Sequence, residues 1–202
     1  VWQSTYGNSI ASDRSGSATG WDGQYGSNVY AVDLSAGVKN AGTAQTNEIL
    51  SHSAAGTTVA AAAAVTLVGV SSDSRLAYFT AADATQFGND GTAFTDSATS
   101  AGDVFAVDLS TRAISLVSGT NGVSFGQAAT YRGAGDGGSV LVSLGDVAGI
   151  EATEGTLTDP NGSGTDLVAV RFNLIDLATG DDTAETGTAT DDVTSKRSFT
   201  LA

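Results

Sequence analysis

The stretch Asp159-Pro-Asn-Gly-Ser-Gly-Thr-Asp166 sets oxygen-bearing side chains at alternating positions, Asp159, Asn161, Ser163 and Thr165, and closes on Asp166. A hard cation takes six to eight oxygen ligands at about 2.3–2.6 Å, and a glycine-rich loop curls such ligands around one point. Calcium is the cofactor this pattern points to. The same residues also make a polar turn in which Pro160, Asn161 and Gly162 satisfy backbone geometry, and no glutamate follows at the EF-hand distance. A second acidic segment, 83–103, carries Asn89, Asp90, Asp96 and Asp103 as candidate ligands. Its alternative is a solvated loop built on an Asn-Asp-Gly turn. The acidic tail Asp181, Asp182, Glu185, Asp191 and Asp192 reads as a solvated segment or a weak counterion site.

Nucleophilic chemistry finds less support. His52 stands between Ser51 and Ser53, but a triad needs a base oriented by a carboxylate and an oxyanion hole. His52 is expected at a surface or a strand end, and no Gly-x-Ser-x-Gly nucleophile elbow is expected. Gly133-Ala-Gly-Asp-Gly-Gly138 lacks the Lys-Ser/Thr of a phosphate loop and reads as a glycine-rich turn. The glutamates Glu48, Glu151, Glu154 and Glu185 occupy no distinctive setting for glycoside hydrolysis. The expectation is a protein that is not an enzyme. Trp2, Tyr6, Trp21 and Tyr25 crowd the N-terminal quarter. They are the candidate binding residues, suited to stacking on sugars or anchoring in a neighbour's groove, with packing into the domain's own core as the alternative.

The frame for these residues follows from composition. The 202 residues include 26 glycines, one proline and no cysteine or methionine. Disulfides, thiolate zinc sites and cysteine nucleophiles are therefore excluded within this chain. Eight Lys and Arg stand against 22 Asp and Glu, a formal net charge of -14. Such a field repels nucleic acid and anionic membranes and attracts divalent cations. No apolar run is long enough to span a bilayer. Val1 in place of an initiator methionine fits removal of a leader, or an excised fragment, and the expected location is secreted, extracellular or at the cell surface.

Short runs of β-formers separated by Gly, Asn, Asp and Ser clusters predict an all-β chain. The alanines at 60–64 read as part of a buried strand, given the Thr and Val residues around them. One phrase recurs: Asn28-Val-Tyr-Ala-Val-Asp-Leu34 matches Asp103-Val-Phe-Ala-Val-Asp-Leu109, and a weaker copy begins at Asp166. The first two copies run into further short strands at 48–50 and 113–117, and 70–79 reads as a turn feeding a strand, with 131–144 as its counterpart. Strand-only units spaced by roughly 60–75 residues make blade-like antiparallel β-meander repeats.

The order Ser71-Ser-Asp-Ser-Arg-Leu-Ala-Tyr-Phe79, then Asp103-Val-Phe-Ala-Val-Asp-Leu-Ser110, then Ile114-Ser-Leu-Val-Ser118 resembles the repeats of bacterial TolB-like, WD40-like β-propellers. The match is best over 70–119 and partial elsewhere. Ser74 stands where those repeats carry Gly, and the segment between Asp83 and Gly102 is inserted. The resemblance implies a propeller blade, and propellers close with four or more blades. This chain holds material for about three, at roughly 1–56, 57–122 and 123–202 of a single domain. The expected architecture is a partial propeller-like array or a β-sandwich. Edge strands left by incomplete closure suggest a non-catalytic structural protein that self-assembles into a homo-oligomer, filament, matrix or surface layer. The alternatives are a module binding surface proteins or glycans, and a polysaccharide hydrolase or lyase.

Overall fold

β-Branched and aromatic residues favour the pleated, half-buried surface of a sheet, and they draw each copy of the recurrent phrase into a strand. In the computed structural model the described residues are 2–4, 28–32, 47–89, 91–98, 102–120, 122–135, 139–146, 151–152, 155–156, 165–171 and 198–201. β1 (Trp2–Ser4), β2 (Asn28–Val32) and β3 (Asn47–Ile49) form an antiparallel sheet with β2 at its centre. A hairpin of β4 (His52–Ser53) and β5 (Gly56–Ala60) follows.

The middle sheet is an antiparallel meander of β6 (Val65–Val70), β7 (Leu76–Ala81), β10 (Asp103–Asp108) and β11 (Ile114–Leu116). Between its second and third strands lies a hairpin of β8 (Gly88–Asn89) and β9 (Thr92–Ala93). After a hairpin of β12 (Gly119–Thr120) and β13 (Val123–Ser124), the third sheet repeats the plan. Its strands are β14 (Thr130–Ala134), β15 (Ser139–Leu144), β18 (Asp166–Arg171) and β19 (Ser198–Leu201). The hairpin of β16 (Glu151–Ala152) and β17 (Gly155–Thr156) again falls between second and third strands. The recurrent phrase occupies β2, β10 and β18, the penultimate strand of each sheet. The fold is all-β, and among the described residues no sheet closes into a barrel.

Every residue of β10 is buried, because the middle sheet has a neighbour on each face. Leu76, Tyr78, Val104 and Ala106 meet Val140, Val142, Leu144, Val168 and Val170 of the third sheet. Ala77, Phe79, Phe105 and Val107 face the other way, toward Val29 of the first sheet. Phe105 stacks on Phe79 with centroids 5.1 Å apart and meets Phe87 at 4.7 Å. One core is mainly aliphatic, the other phenylalanine-rich. Tyr131 of β14 reaches across to β6, where a Cβ on Gly69 would sit 2.8 Å from its Cζ. That close approach is what the glycine permits.

Two expectations change. The alanine run enters β5 only at Ala60, and residues 61–64 link β5 to β6, with Ala61 buried and Ala62 exposed. Alanine lacks the branched surface that holds a strand in a sheet. The segment 83–103 is not merely a solvated loop. Its hairpin sends Phe87 and Phe94 into the core around Phe105, so the polar residues form a cover over two apolar anchors.

Candidate functional site

The first residue of the recurrent phrase makes the same connection in two copies. Ser51 donates its hydroxyl to Asn28 Oδ1 at 3.0 Å and accepts the Val29 N–H at 3.0 Å. Ser118 donates to Asp103 Oδ1 at 2.7 Å and accepts the Val104 N–H at 3.1 Å. All four side chains are buried. Each serine lies just past the last strand of its sheet, so the pair ties that strand's exit to the start of its neighbour.

The seat holds a neutral amide in one copy and an ionisable acid in the other. Asp103 Oδ2 is buried without a hydrogen-bond partner. Burial pushes the Asp103 pKa up to about 6, with Asp96 and Asp83 adding to the rise and the Ser118 hydroxyl opposing it. The two neighbouring carboxylates are engaged locally. Asp83 caps a short 3-10 turn at Ala84–Gln86, accepting the Thr85 N–H at 2.9 Å. Asp96 accepts the Ala84 N–H at 3.1 Å and the Ala98 N–H at 2.8 Å.

A second polar cluster joins the first sheet to the middle one. His52 opens the two-residue β4, a strand end as expected, but is 2% exposed rather than at the surface, because the turn between β10 and β11 covers it. Its Nδ1 lies 2.9 Å from the Ser53 carbonyl oxygen and its Nε2 lies 2.7 Å from that of Arg112. Arg112, in the left-handed region at φ 71°, directs its guanidinium to the carboxylate of Glu48 on β3. In the same turn Asp108 accepts from Ser110, Thr111 and Arg75. Burial raises the Asp108 pKa, but these hydrogen bonds outweigh it and hold the group below its ordinary value.

The candidate calcium ligands fall in the equivalent inserted segments of the second and third sheets, where their placement differs. Asn89 is committed to the edge of the middle sheet. Its Nδ2 donates to the Ile114 carbonyl at 2.7 Å and its Oδ1 accepts the Ile114 N–H at 2.9 Å, as a paired strand would. Asp96 and Asp103 sit as described, Thr165 is exposed, and Asp166 opens β18. Asp90, Asp159, Asn161 and Ser163 lie outside the described residues, as do Tyr6, Trp21 and Tyr25, while Trp2 is in β1 opposite Tyr30. Among the described residues no group of three or more His, Asp or Glu is placed to hold a metal ion.

One motif corrects the expectation that the chain holds no elbow spacing. Gly122-Val-Ser-Phe-Gly126 spells Gly-x-Ser-x-Gly, the spacing of a nucleophile elbow. An elbow joins a strand to a helix and exposes its serine. Ser124 instead ends β13, is 5% exposed, accepts the Ser97 N–H at 2.9 Å and donates to Asp96 at 3.2 Å. His52, whose ring nitrogens are both on backbone carbonyls, is not its base. No helix among the described residues is long and apolar enough to cross a membrane. Comparison with known proteins returned no matching family model, no matching curated protein and no matching solved structure.

Proposed function

We propose that this chain is a non-catalytic structural module of a secreted or cell-surface protein, built from propeller-like repeats of the TolB type. In this reading it assembles with copies of itself or with neighbouring surface proteins and glycans. The observation that carries the reading is where the reactive side chains are spent. Asn28, Ser51, Asp103 and Ser118 are buried in matching pairs that brace one sheet exit after another. Asn89 and His52 are likewise bonded to backbone. Groups consumed in bracing a repeat array serve its rigidity. β1, which carries Trp2, and β19 are the last strands of their sheets and supply the edges for association. Calcium held by acidic loops belongs to the same proposal, since the charge of -14 draws divalent cations.

The test is light scattering and electron microscopy on the purified chain, over rising concentration, with calcium and with chelator. Ordered oligomers or filaments are expected, strengthened by calcium. Monodisperse monomers throughout, at high concentration, sink the assembly reading.

A further inference from the structure

The first sheet has three strands among the described residues, and the other two have four. Alignment of the recurrent phrase sets β2 against β10 and β18, so β1, which pairs with β2, corresponds to β7 and β15. Those two strands each carry a further antiparallel partner, β6 on β7 and β14 on β15. Among the described residues β1 carries none on that side.

β6 and β14 are built alike. Each shifts register at the same place, between Leu67 and Gly69 in one and between Tyr131 and Gly133 in the other, which leaves Val68 or Arg132 as a bulge. Leu67 pairs with Phe79 and Tyr131 with Val142, which hold the same register position in their sheets. Tyr131 leans back onto the preceding sheet and rests against Gly69 of β6. Leu67, its counterpart, packs on the phenylalanine-rich core toward the first sheet. There the cover is incomplete. Leu67 is half-buried, and Val70, which pairs with Ala77 and so shares that face, is 40% exposed. β6 lies against β1 and β2, as β14 lies against β6 and β10. The outer edge of β1 and the apolar face of β6 therefore bound a place one strand wide.

We propose that this place is a strand-addition site: it takes an extended segment of a partner polypeptide, laid antiparallel on β1, with a glycine under Leu67. The pattern required is the one that fills the place twice within the chain, a large apolar or aromatic residue, a bulge residue and then glycine, as in Leu67-Val-Gly69 and Tyr131-Arg-Gly133. Backbone hydrogen bonds to β1 supply affinity. The glycine supplies selectivity, since a larger side chain would take the space of Leu67. The inference deepens the structural reading above by naming the edge and the partner's pattern, and it rests on that reading for the partner being another polypeptide.

The probe is a synthetic peptide copying residues 128–135, which holds the β14 pattern, added to the isotope-labelled full chain. Saturable methyl shifts at Leu67 and Val70 are expected, with about tenfold slower exchange of the β1 amides. Gly133→Ile in the peptide should weaken binding about tenfold. Val70→Asp in the chain, at a position open to solvent, should abolish it. Four results overturn the site: β1 amides already protected in the chain alone, shifts that miss Leu67 and Val70, no binding at millimolar peptide, or equal binding of the two peptides. The peptide pair uses only the native chain, so the test stands if Val70→Asp fails to fold. A chain that takes the peptide and never self-assembles refutes the assembly reading and leaves the site in place. One that assembles without taking the peptide refutes the site alone.

Discussion

Ser118 stands to Asp103 as Ser51 stands to Asn28: each hydroxyl donates to the Asx side chain and accepts the next residue's N–H, at 2.7 and 3.1 Å in one copy and 3.0 and 3.0 Å in the other. The chain thus contains its own control experiment, an ionisable and a neutral occupant of one buried seat.

The ionisable occupant makes stability depend on pH. The Asp103 pKa is about 6 in the fold against 3.8 for the free group. A raised value means that the folded state holds the proton more tightly, so the contribution is complete below 3.8 and is lost as pH rises through about 6. Asp103→Asn should remove that slope and add on the order of 1–2 kcal/mol at about pH 8. Urea unfolding at pH 5 and pH 8 measures it, and a variant with the parent's slope would place the ionisation elsewhere.

Removing the partner hydroxyl has the opposite sign. Ser118→Ala leaves the Val104 N–H and a carboxyl oxygen buried and unmet, a loss of about 2–4 kcal/mol. The loss should be larger above pH 6, where an anion is deprived. Ser51→Ala, facing an amide, should cost about 1–3 kcal/mol with no such pH dependence. Equilibrium denaturation of both variants across pH separates the two cases, and matching pH curves would contradict the account.

Asn89 imitates a strand at Ile114. Asn89→Ala uncovers that backbone and should lower stability by about 1–2 kcal/mol while promoting association through the bared edge. Asn89→Asp should be worse, because a carboxylate would replace the donor that faces the Ile114 carbonyl. Thermal melts and size-exclusion profiles of the two variants give the ranking; Asp tolerated as well as Asn would count against the two-point contact.

Ser74 adopts φ 57° in the turn between β6 and β7, where a Cβ is unfavourable, and its side chain is exposed. Ser74→Gly should stabilise by about 0.5–1 kcal/mol, the strain relieved being partly offset by the freer unfolded chain. A raised melting temperature is the expected reading.

Much of the framework is legible in the sequence because it is written locally. Asn28, Asp103 and Asp166 each open a strand whose residues are extended by β-branched and aromatic side chains, while 131–144, expected as a turn feeding one strand, holds most of β14 and all of β15. Contacts made across long stretches of chain leave no local trace. The carbonyl that buries His52 belongs to Arg112, 60 residues away, and the peptide capped by Asn89 lies 25 residues on. Phe87 and Phe94 were hidden for a related reason, since isolated apolar residues in a polar segment declare nothing until the hairpin turns them both onto Phe105.

The wholly buried β10 has a bearing on how faithfully the chain finds its pairing. A slip of one residue against β7 would turn Phe105 toward the aliphatic layer and Val104 toward the phenylalanine layer, misfitting both at once. A sheet with one wet face detects such an error on one side only. Here two chemically unlike layers proofread the same strand, so mispaired forms are rejected twice over before the array can grow on them.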